Sequence, residues 1–316
     1  MAQQQQKLDL AARAAWLYYV GGKTQDEIAA QLNVSRPGAQ RLVALARDEG
    51  LVKVRIDHPI AECMLLAGEL RRRFALKLCD VVPSDPAAAD GDNRYLAVAG
   101  AACLETYVAQ ESPLVLGMGT GRTLRAAVDA MSRLHRPQHR FVSLVGNIAL
   151  DGSSNPFDAV VELADKTEGR RYLLPAPVVA NTLDEREQLV HQRAYLAVRQ
   201  VADAAAAAFL GVGVIGQDAP LYQGGFITDV DLAELLERGA VAEILSWPLD
   251  ACGRAVASSV QARVTSVPLP ALAQRPLIVM GGGARKGVAI RALLVGGWLS
   301  GLITDEAAAK VALDHH

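Results

Sequence analysis

The chain has 316 residues, about twice the length of a typical domain, so two domains are expected. Hydrophobic residues make up 51% of it and charged residues 21%, which excludes a disordered chain and indicates a globular protein with a large core. The formal net charge of −2 excludes nucleic-acid binding driven by bulk charge alone. Four cysteines without paired spacing, and no signal peptide or membrane span in the sequence, favour a cytoplasmic protein.

Charge is distributed unevenly along the chain. The first 58 residues carry eight Lys and Arg against six Asp and Glu, a net charge of +2, so the remainder has a net charge of −4. Any DNA contact must therefore come from a few well-placed side chains.

Three short helices are predicted at the beginning of the chain. Helical spacing of apolar residues predicts the first over residues 8–20, with Leu8, Ala11, Ala12, Ala15, Trp16 and Tyr19 on its buried face. The second covers residues 25–32 and is capped by the Thr24 hydroxyl.

The third helix follows Ser35, which can cap it, and has Pro37 in its first turn, where no hydrogen bond is lost. We expect Leu42, Leu45 and Ala46 on its buried side. Alternating residues over 51–56 then predict a strand.

This order of elements predicts a helix-turn-helix with a small wing. The third helix would lie in the major groove, because Arg suits guanine and Gln suits adenine, while hydroxyls suit phosphate. The predicted DNA-contacting residues are Thr24, Gln25, Ser35, Arg36, Gln40 and Arg41. The alternative is a three-helix cap with solvated arginines, and Gly38 weakens the third helix.

A further helix is predicted between Pro59 and Val82. Its packed side would include Met64, Leu65, Leu66, Leu70 and Phe74. It could connect the two domains, pair with its copy in a second subunit, or begin the large domain. Residues 83–92 have turn-forming composition and predict an exposed loop.

From about residue 60 onward, short β-like runs alternate with helical stretches. This alternation predicts an α/β domain, a mostly parallel sheet covered by helices on both faces. The predicted strands are 114–116, 141–144, 171–174, 208–212, 242–245 and 277–280, and the predicted helices include 93–110, 123–134 and 184–202. Residues 287–303 predict a packed helix and a turn, since Arg291 and glycines interrupt the apolar run.

The most informative motif is a strand that ends in a glycine-threonine loop and opens into a helix. Its glycines are Gly117, Gly119 and Gly121, and its side-chain donors are Thr120, Arg122 and Thr123. Exposed amides at a helix start favour an anion, so a phosphate or a cluster of sugar hydroxyls would fit. The spacing is neither a P-loop nor a dinucleotide fingerprint.

Two more glycine clusters follow. Residues 211–216 spell GxGxxG, but no helical pattern continues after them, which favours a turn at a strand end. Residues 281–287 place Lys286 at a helix start, where it either binds a phosphate or carboxylate or remains solvated. Glu243 and Asp250 could accept hydrogen bonds from sugar hydroxyls, and Glu243 could instead buffer Lys286.

Metal and catalytic signals are weak. His135 and His139 have metal-like spacing, but Pro137 between them interrupts the helix that would align them, so no metal and no cofactor are predicted. No nucleophile elbow is present, and no enzyme active site is evident.

Together, the motifs resemble the SorC-type sugar-binding transcriptional regulators of bacteria over nearly the whole chain. In the first part the matching residues are Tyr18-Tyr19, Thr24 to Ala29, Leu32 to Arg36, Arg41-Leu42 and Glu49 to Val52. In the second part they are Gly119 to Thr123, Asn155-Pro156, Leu174 to Pro177, Gly211 to Gly213, Gly281-Gly282 and Lys286.

The resemblance implies a winged helix-turn-helix over residues 1–58. Over residues 59–316 it implies a Rossmann-like, doubly wound effector domain similar to sugar-phosphate isomerases, which binds a sugar without catalysis. The implied partners are operator DNA, a sugar, sugar-phosphate or polyol effector, and further copies of the chain in a dimer or tetramer.

By motif, the resemblance places the family's phosphate loop at residues 119–123 and its effector-contacting acid and lysine at Asp250 and Lys286. The full set of predicted effector contacts is Gly117, Gly119, Thr120, Gly121, Arg122, Thr123, Asn147, Glu243, Asp250 and Lys286.

The chain departs from the usual family pattern in three places. Residues 38–40 differ in the middle of the third helix, which bears on the operator sequence. Asn147 stands where a second glycine often follows Gly146, and Ala242-Glu243 replaces a Gly-Asp pair, and both bear on the effector. Two alternatives are a sugar-phosphate isomerase-like enzyme and an NAD-dependent dehydrogenase built on residues 211–216.

Overall fold

Residues 2–52, 61–85, 94–148 and 158–314 are described by the computed structural model. They belong to two compact units, Met1–His58 and Pro59–His316. Each unit has its own buried core.

The first unit contains α1 (Ala2–Tyr19), α2 (Gln25–Leu32) and α3 (Arg36–Asp48). Local capping sets the start of α2. The Thr24 hydroxyl accepts from the Glu27 N–H at 3.3 Å, and the Glu27 carboxylate accepts from the Thr24 N–H at 2.8 Å. Asn33, with φ of 55°, ends the helix in the left-handed region. Both boundaries of α2 agree with the prediction.

Helix α3 begins after Ser35, whose hydroxyl accepts from the Gly38 N–H at 3.2 Å. Leu42 and Ala46 are buried as predicted, whereas Leu45 is only half-buried. Leu51 and Val52 belong to no strand, and the rest of the predicted strand 51–56 lies outside the described residues.

The prediction for the buried face of α1 was partly wrong. Ala11, Ala14 and Ala15 are buried, but Trp16 and Tyr19 are 60% and 42% exposed. The three alanines join Leu17 in the core of this unit, and small side chains let helices approach closely. The large aromatic rings lie outside this core and face solvent. Leu8 is half-buried and Ala12 is exposed.

The second unit contains ten described strands. They are β1 (Leu78–Val82), β2 (Val115–Met118), β3 (Arg140–Ile148), β4 (Arg170–Pro177), β5 (Ala207–Leu210), β6 (Gly213–Val214), β7 (Ala240–Ile244), β8 (Trp247–Asp250), β9 (Leu277–Met280) and β10 (Gly301–Asp305). Seven form one sheet in the order β1-β10-β9-β5-β2-β3-β4, and all its neighbouring strands are parallel. Strands β6, β7 and β8 form a small antiparallel sheet.

Helices connect and cover these strands. They are α4 (Ala61–Phe74), α5 (Arg94–Val108), α6 (Arg122–Ala130), α7 (Val160–Thr167), α8 (Leu183–Val190), α9 (Arg193–Asp203), α10 (Pro220–Gln223), α11 (Asp229–Glu237), α12 (Ser259–Arg263), α13 (Leu269–Leu272), α14 (Ala284–Val295) and α15 (Glu306–Leu313).

The large sheet is buried on both faces. Along β9, Leu277 and Val279 join one hydrophobic core, while Ile278 and Met280 join the other. Alternate side chains of a strand point to opposite faces, so helices must cover both sides. The predicted doubly wound α/β fold is confirmed.

The strand order reverses direction next to β2. From β2 the chain proceeds through β3 to β4 on one side, and it then returns to place β5 on the other side of β2. In open α/β sheets, ligands bind at the carboxyl ends of the strands where such a reversal occurs. The fold therefore points to the loops after β2 and β5.

Several predicted elements differ from the structure. The predicted helix 184–202 is divided into α8 and α9 at His191 and Gln192, and the predicted strand 242–245 belongs to the small antiparallel sheet. In α4, Met64 and Leu65 are exposed, whereas Cys63, Ala67 and Leu70 are buried against α15 and β1. Strands β1, β6, β8 and β10 were not predicted.

Candidate functional site

Three glycine loops meet at the carboxyl edge of the large sheet. We name residues 119–121, 211–213 and 281–283 the first, second and third glycine loops. A Cβ on Gly211 would lie 2.6 Å from the Thr120 carbonyl oxygen, and one on Gly281 would lie 2.9 Å from Val212 Cγ1. The backbone of Thr120 at Gly211 and the side chain of Val212 at Gly281 leave too little room for a Cβ, which explains these two glycines.

The first glycine loop opens into α6. Gly121 has φ of 137°, which disfavours other residues, and it provides no side-chain cap. The backbone amides at the start of α6 are therefore available to an anion or to ligand hydroxyl oxygens. Gly117 and Gly119 also serve packing, since Cβ atoms there would lie 2.7 Å from Leu144 and 3.1 Å from Leu245.

Side-chain donors flank this loop. Arg122 is exposed at the first position of α6. Thr123 is only 3% exposed, and its hydroxyl has no hydrogen-bond partner among the described residues. Thr120 is joined through an antiparallel backbone bridge to Asp158. A buried hydroxyl without a partner costs free energy, which a bound ligand could recover.

Asp158 is a site residue that the sequence did not reveal. It is 6% exposed, and its Oδ1 accepts from the Val160 N–H at 2.7 Å, while Oδ2 has no partner among the described residues. Burial raises the pKa of this carboxyl, although the Val160 N–H and Arg125 act in the opposite direction. Its position just before α7 predicts that it caps the helix, but the neighbouring sequence does not predict that its carboxylate is buried.

Glu243 and Lys286 lie close enough to interact electrostatically. The Glu243 carboxylate lies against Gly213 and accepts from the Ser246 N–H at 2.6 Å. Burial raises the pKa of Glu243, and the Ser246 N–H and the Lys286 ammonium partly oppose this. Lys286 lies in the first turn of α14, and its Cδ would be 3.7 Å from a Cβ on Gly281. The pair therefore lies beside the second and third glycine loops.

The third glycine loop is held by another buried acid. Asp305, at the end of β10, accepts from the Gly283 N–H at 2.8 Å and from the Ala308 N–H at 2.9 Å. The carboxylate thus fixes the loop and caps α15 at the same time. Asp305 was not predicted as a site residue.

Asp250 lies apart from Glu243, at the opposite end of the β7-β8 hairpin. It pairs with Ala240, whereas Glu243 pairs with Pro248. Its carboxylate accepts from the backbone N–H groups of Cys252 and Arg254 and from the Arg254 guanidinium, each at 2.9 Å. The Arg254 N–H is the main cause of its lowered pKa. In the structure Asp250 closes a turn, and its contact with an effector stays a prediction.

Asn147 falls within β3, but its side chain lies outside the described residues, as do Asn155 and Pro156. The GxGxxG sequence forms a turn and β6, and no helix begins at Gly216, so the pyrophosphate-binding geometry of a dinucleotide site is missing there. His135 pairs with Glu168 at 3.1 Å, while the buried His139 contacts the Val108 carbonyl at 3.0 Å.

In the first unit, the predicted DNA contacts lie around the start of α3. Arg36, Gln40 and Arg41 are exposed. Arg36 forms an ion pair with Asp26 at 3.5 Å, with both side chains about two-thirds exposed. Arg41 donates to the Pro37 carbonyl at 3.2 Å.

The capping residues are engaged in different ways. The Thr24 hydroxyl both accepts and donates within its capping box, whereas the Ser35 hydroxyl proton is engaged by no described residue. Gln25 is half-buried at the start of α2. Ser35 therefore has the freer hydroxyl for a phosphate.

Two negative findings concern the described ranges only. None of their helices combines the length and apolarity needed to cross a bilayer. They also contain no cluster of three or more His, Cys, Asp or Glu side chains arranged to hold a metal ion.

Comparisons with known proteins identify the family. Residues 58–314 match the family model described as "Putative sugar-binding domain". The erythritol catabolism regulatory protein EryD of Brucella abortus is 35% identical over 304 residues, which cover 96% of each chain. The transcriptional regulator LsrR of Klebsiella pneumoniae is 31% identical over 311 residues, covering 96% of this chain and 93% of that protein.

Solved structures agree on the fold. The full-length sorbitol operon regulator SorC of Klebsiella pneumoniae aligns with a TM-score of 0.78 at 21% identity, covering 97% of this chain and 98% of that chain. A DeoR family transcriptional regulator from Listeria monocytogenes aligns with 79% of this chain at a TM-score of 0.70. The chain therefore belongs to the SorC-type family of transcriptional regulators with a sugar-binding domain.

Proposed function

We propose that the protein regulates a carbohydrate or polyol catabolic operon, and that a small polyhydroxy effector binds where the three glycine loops meet. One observation supports this proposal above all. Thr123 and Asp158 lie beside the first glycine loop and bury polar atoms that have no partner among the described residues, while Glu243 and Lys286 lie beside the second and third loops. The erythritol catabolism regulator among the relatives makes a polyol a natural candidate.

The groups around the three glycine loops have distinct chemical roles in this proposal. The amides at the start of α6, with Arg122 and the Thr123 hydroxyl, donate to the effector. The second oxygen of Asp158 and the Glu243 carboxylate accept from its hydroxyl groups. Lys286 donates to the effector and partly opposes the burial that raises the pKa of Glu243. A set of groups that both donates and accepts suits a polyol or sugar.

Control of DNA binding follows from linkage. The exposed start of α3 contacts operator bases. Two operator half-sites require at least a dimer of the chain, which acts in the cytoplasm. An effector that binds one arrangement of the subunits better than another shifts the population towards it. No catalytic step is part of this function.

The decisive experiment combines a ligand screen with DNA binding. A thermal-shift screen of polyols, sugars and sugar phosphates should find a ligand that raises the melting temperature. That ligand should then change binding to promoter DNA in a gel-shift assay. Lys286→Ala and Arg122→Ala should bind the DNA normally and no longer respond to the ligand, and a normal response in both variants would place the site elsewhere.

A further inference from the structure

A depression lies at the edge of the large sheet opposite the three glycine loops, where β2, β3 and β4 begin. Its volume is about 440 Å³, within the range of small-molecule sites. Its lining residues are Pro113, Leu114, Val115, Pro137, Gln138, Arg140 and Arg170. Because it lies at the amino ends of the strands, it is separate from the proposed effector site.

Two arginines stand side by side in this depression. Arg140 and Arg170 are the first residues of β3 and β4, and they pair in register on neighbouring parallel strands. Residues in register on adjacent strands point to the same face, and the strands are only about 4.8 Å apart. Adjacent like charges disfavour each other unless an anion lies between them.

No such anion is supplied by the described part of the chain. The side chains of Arg140 and Arg170 form no hydrogen bond or ion pair with any described residue, and none of the lining residues is acidic. Neighbouring arginines differ in this respect. Arg171 pairs with Asp165 at 2.7 Å, and Arg136 donates to two carbonyl oxygens. Arg140 and Arg170 are thus exposed and have no countercharge within the described part of the chain.

The remaining wall is rigid and offers few competing groups. Pro113 and Pro137 have restricted backbones and no N–H groups. The Gln138 amide donates to the Glu111 carbonyl at 2.9 Å, which ties the two sides of the wall together. A ligand held here would therefore be recognised mainly by the two guanidinium groups.

We propose that this depression binds phosphate, either as the inorganic ion or as the phosphoryl group of a small metabolite. Two guanidinium groups present planar, paired N–H donors that match phosphate oxygens. A bound phosphate dianion also neutralises the repulsion between the two arginines. The site does not depend on the proposed effector function.

The test measures the melting temperature in inorganic phosphate and in chloride at equal ionic strength, together with the dissociation constant for phosphate. The wild type and Arg171→Gln, the matched control, should be stabilised equally by phosphate. Arg140→Gln and Arg170→Gln should each bind it roughly tenfold more weakly, the loss expected for one charge-assisted contact. Arg170→Glu should no longer respond, and it should melt no lower than the wild type in phosphate-free buffer because the introduced carboxylate supplies the missing countercharge.

Binding at the first glycine loop is separated by repeating the phosphate titrations in an Arg122→Gln background, where Arg140→Gln and Arg170→Gln should each still lower the phosphate affinity roughly tenfold. Equal phosphate affinity with and without these two substitutions in that background would overturn the proposal. Glycerol 3-phosphate separates the two sources of phosphate. Tighter binding than inorganic phosphate assigns the depression to a metabolite, and equal binding assigns it to the inorganic ion.

Discussion

Arg36 is the side chain on which recognition of the operator should depend most. It lies at the exposed start of α3, and its partner Asp26 must release it before it can contact a base. An ion pair this exposed contributes at most about 1 kcal/mol, so its loss on binding DNA costs little. A bidentate contact between arginine and guanine contributes about 1–3 kcal/mol.

We therefore expect Arg36→Ala to weaken operator binding roughly tenfold or more while the melting temperature changes little. Arg47→Ala is the matched control, because Arg47 lies in the last turn of α3 and pairs with its neighbour Asp48. Fluorescence anisotropy with operator and scrambled DNA measures both affinities. Equal affinity of Arg36→Ala and wild type for the operator would remove Arg36 from the interface.

Asp158 links stability to effector binding. Because its pKa is raised in the folded state, the unfolded chain releases this proton at lower pH than the folded chain does. The contribution of Asp158 to stability therefore falls as pH rises from its unfolded pKa through its folded pKa, and below both values it has no effect. Asp158→Asn retains an oxygen for the Val160 N–H but cannot ionise.

We expect Asp158→Asn to lack this loss of stability between acidic and neutral pH and to bind the effector more weakly. Thermal unfolding of both proteins across that pH range measures the first effect, and titration with the effector measures the second. Asp165→Asn is the control, since Asp165 is exposed and pairs with Arg171. Identical pH profiles for wild type and Asp158→Asn would contradict the assignment.

At the scale of single elements, the sequence predicts what local chemistry decides. The bounds of α2 were predicted to the residue because Thr24 and Asn33 act within one helical turn. The first glycine loop was predicted because its glycines, its threonines and the following helix are contiguous. The division between α8 and α9 at His191 was not, because no Gly or Pro marks it.

Tertiary contacts determine the features that local sequence does not predict, such as the length of a strand and the burial of a carboxylate. Strand β4 continues through Pro175 and Pro177, which the edge of a sheet tolerates, so the predicted strand 171–174 was too short. Asp158 and Asp305 were not identified as site residues because only the folded chain buries their carboxylates. The predicted contact of Asp250 rests on the family motif, whereas its partners in the structure come from its own turn.

The junction between the first glycine loop and α6 gives a prediction at this scale. Gly121 has φ of 137°, so Gly121→Ala should destabilise the protein by about 1–3 kcal/mol and move the amides that face the effector. Gly216→Ala is the control, because a Cβ there would meet no atom within 4 Å. Chemical denaturation should show lower stability, and effector titration weaker binding, for Gly121→Ala. Gly216→Ala should keep nearly wild-type values of both. Wild-type effector affinity in Gly121→Ala would show that the loop does not contact the effector.

At the scale of the whole molecule, the two units should differ in their ability to fold alone. The second unit has two extensive cores of its own on the two faces of the sheet. The first unit has a small core in which six of the ten buried residues are alanines, and small domains of this kind are marginally stable. We propose that residues 59–316 fold alone and bind the effector as the full chain does in the absence of DNA.

Coupling between the units gives the last prediction, which requires the full chain. If the effector changes operator affinity by some factor, the operator must change effector affinity by the same factor, because both report one coupling free energy. Factors of about 5–150 are typical of such coupling. Titrations of effector with and without operator DNA, and of operator with and without effector, measure the two factors independently. In residues 59–316 alone, operator DNA should leave effector affinity unchanged, so a DNA-dependent affinity in that fragment would show that the second unit itself contacts DNA.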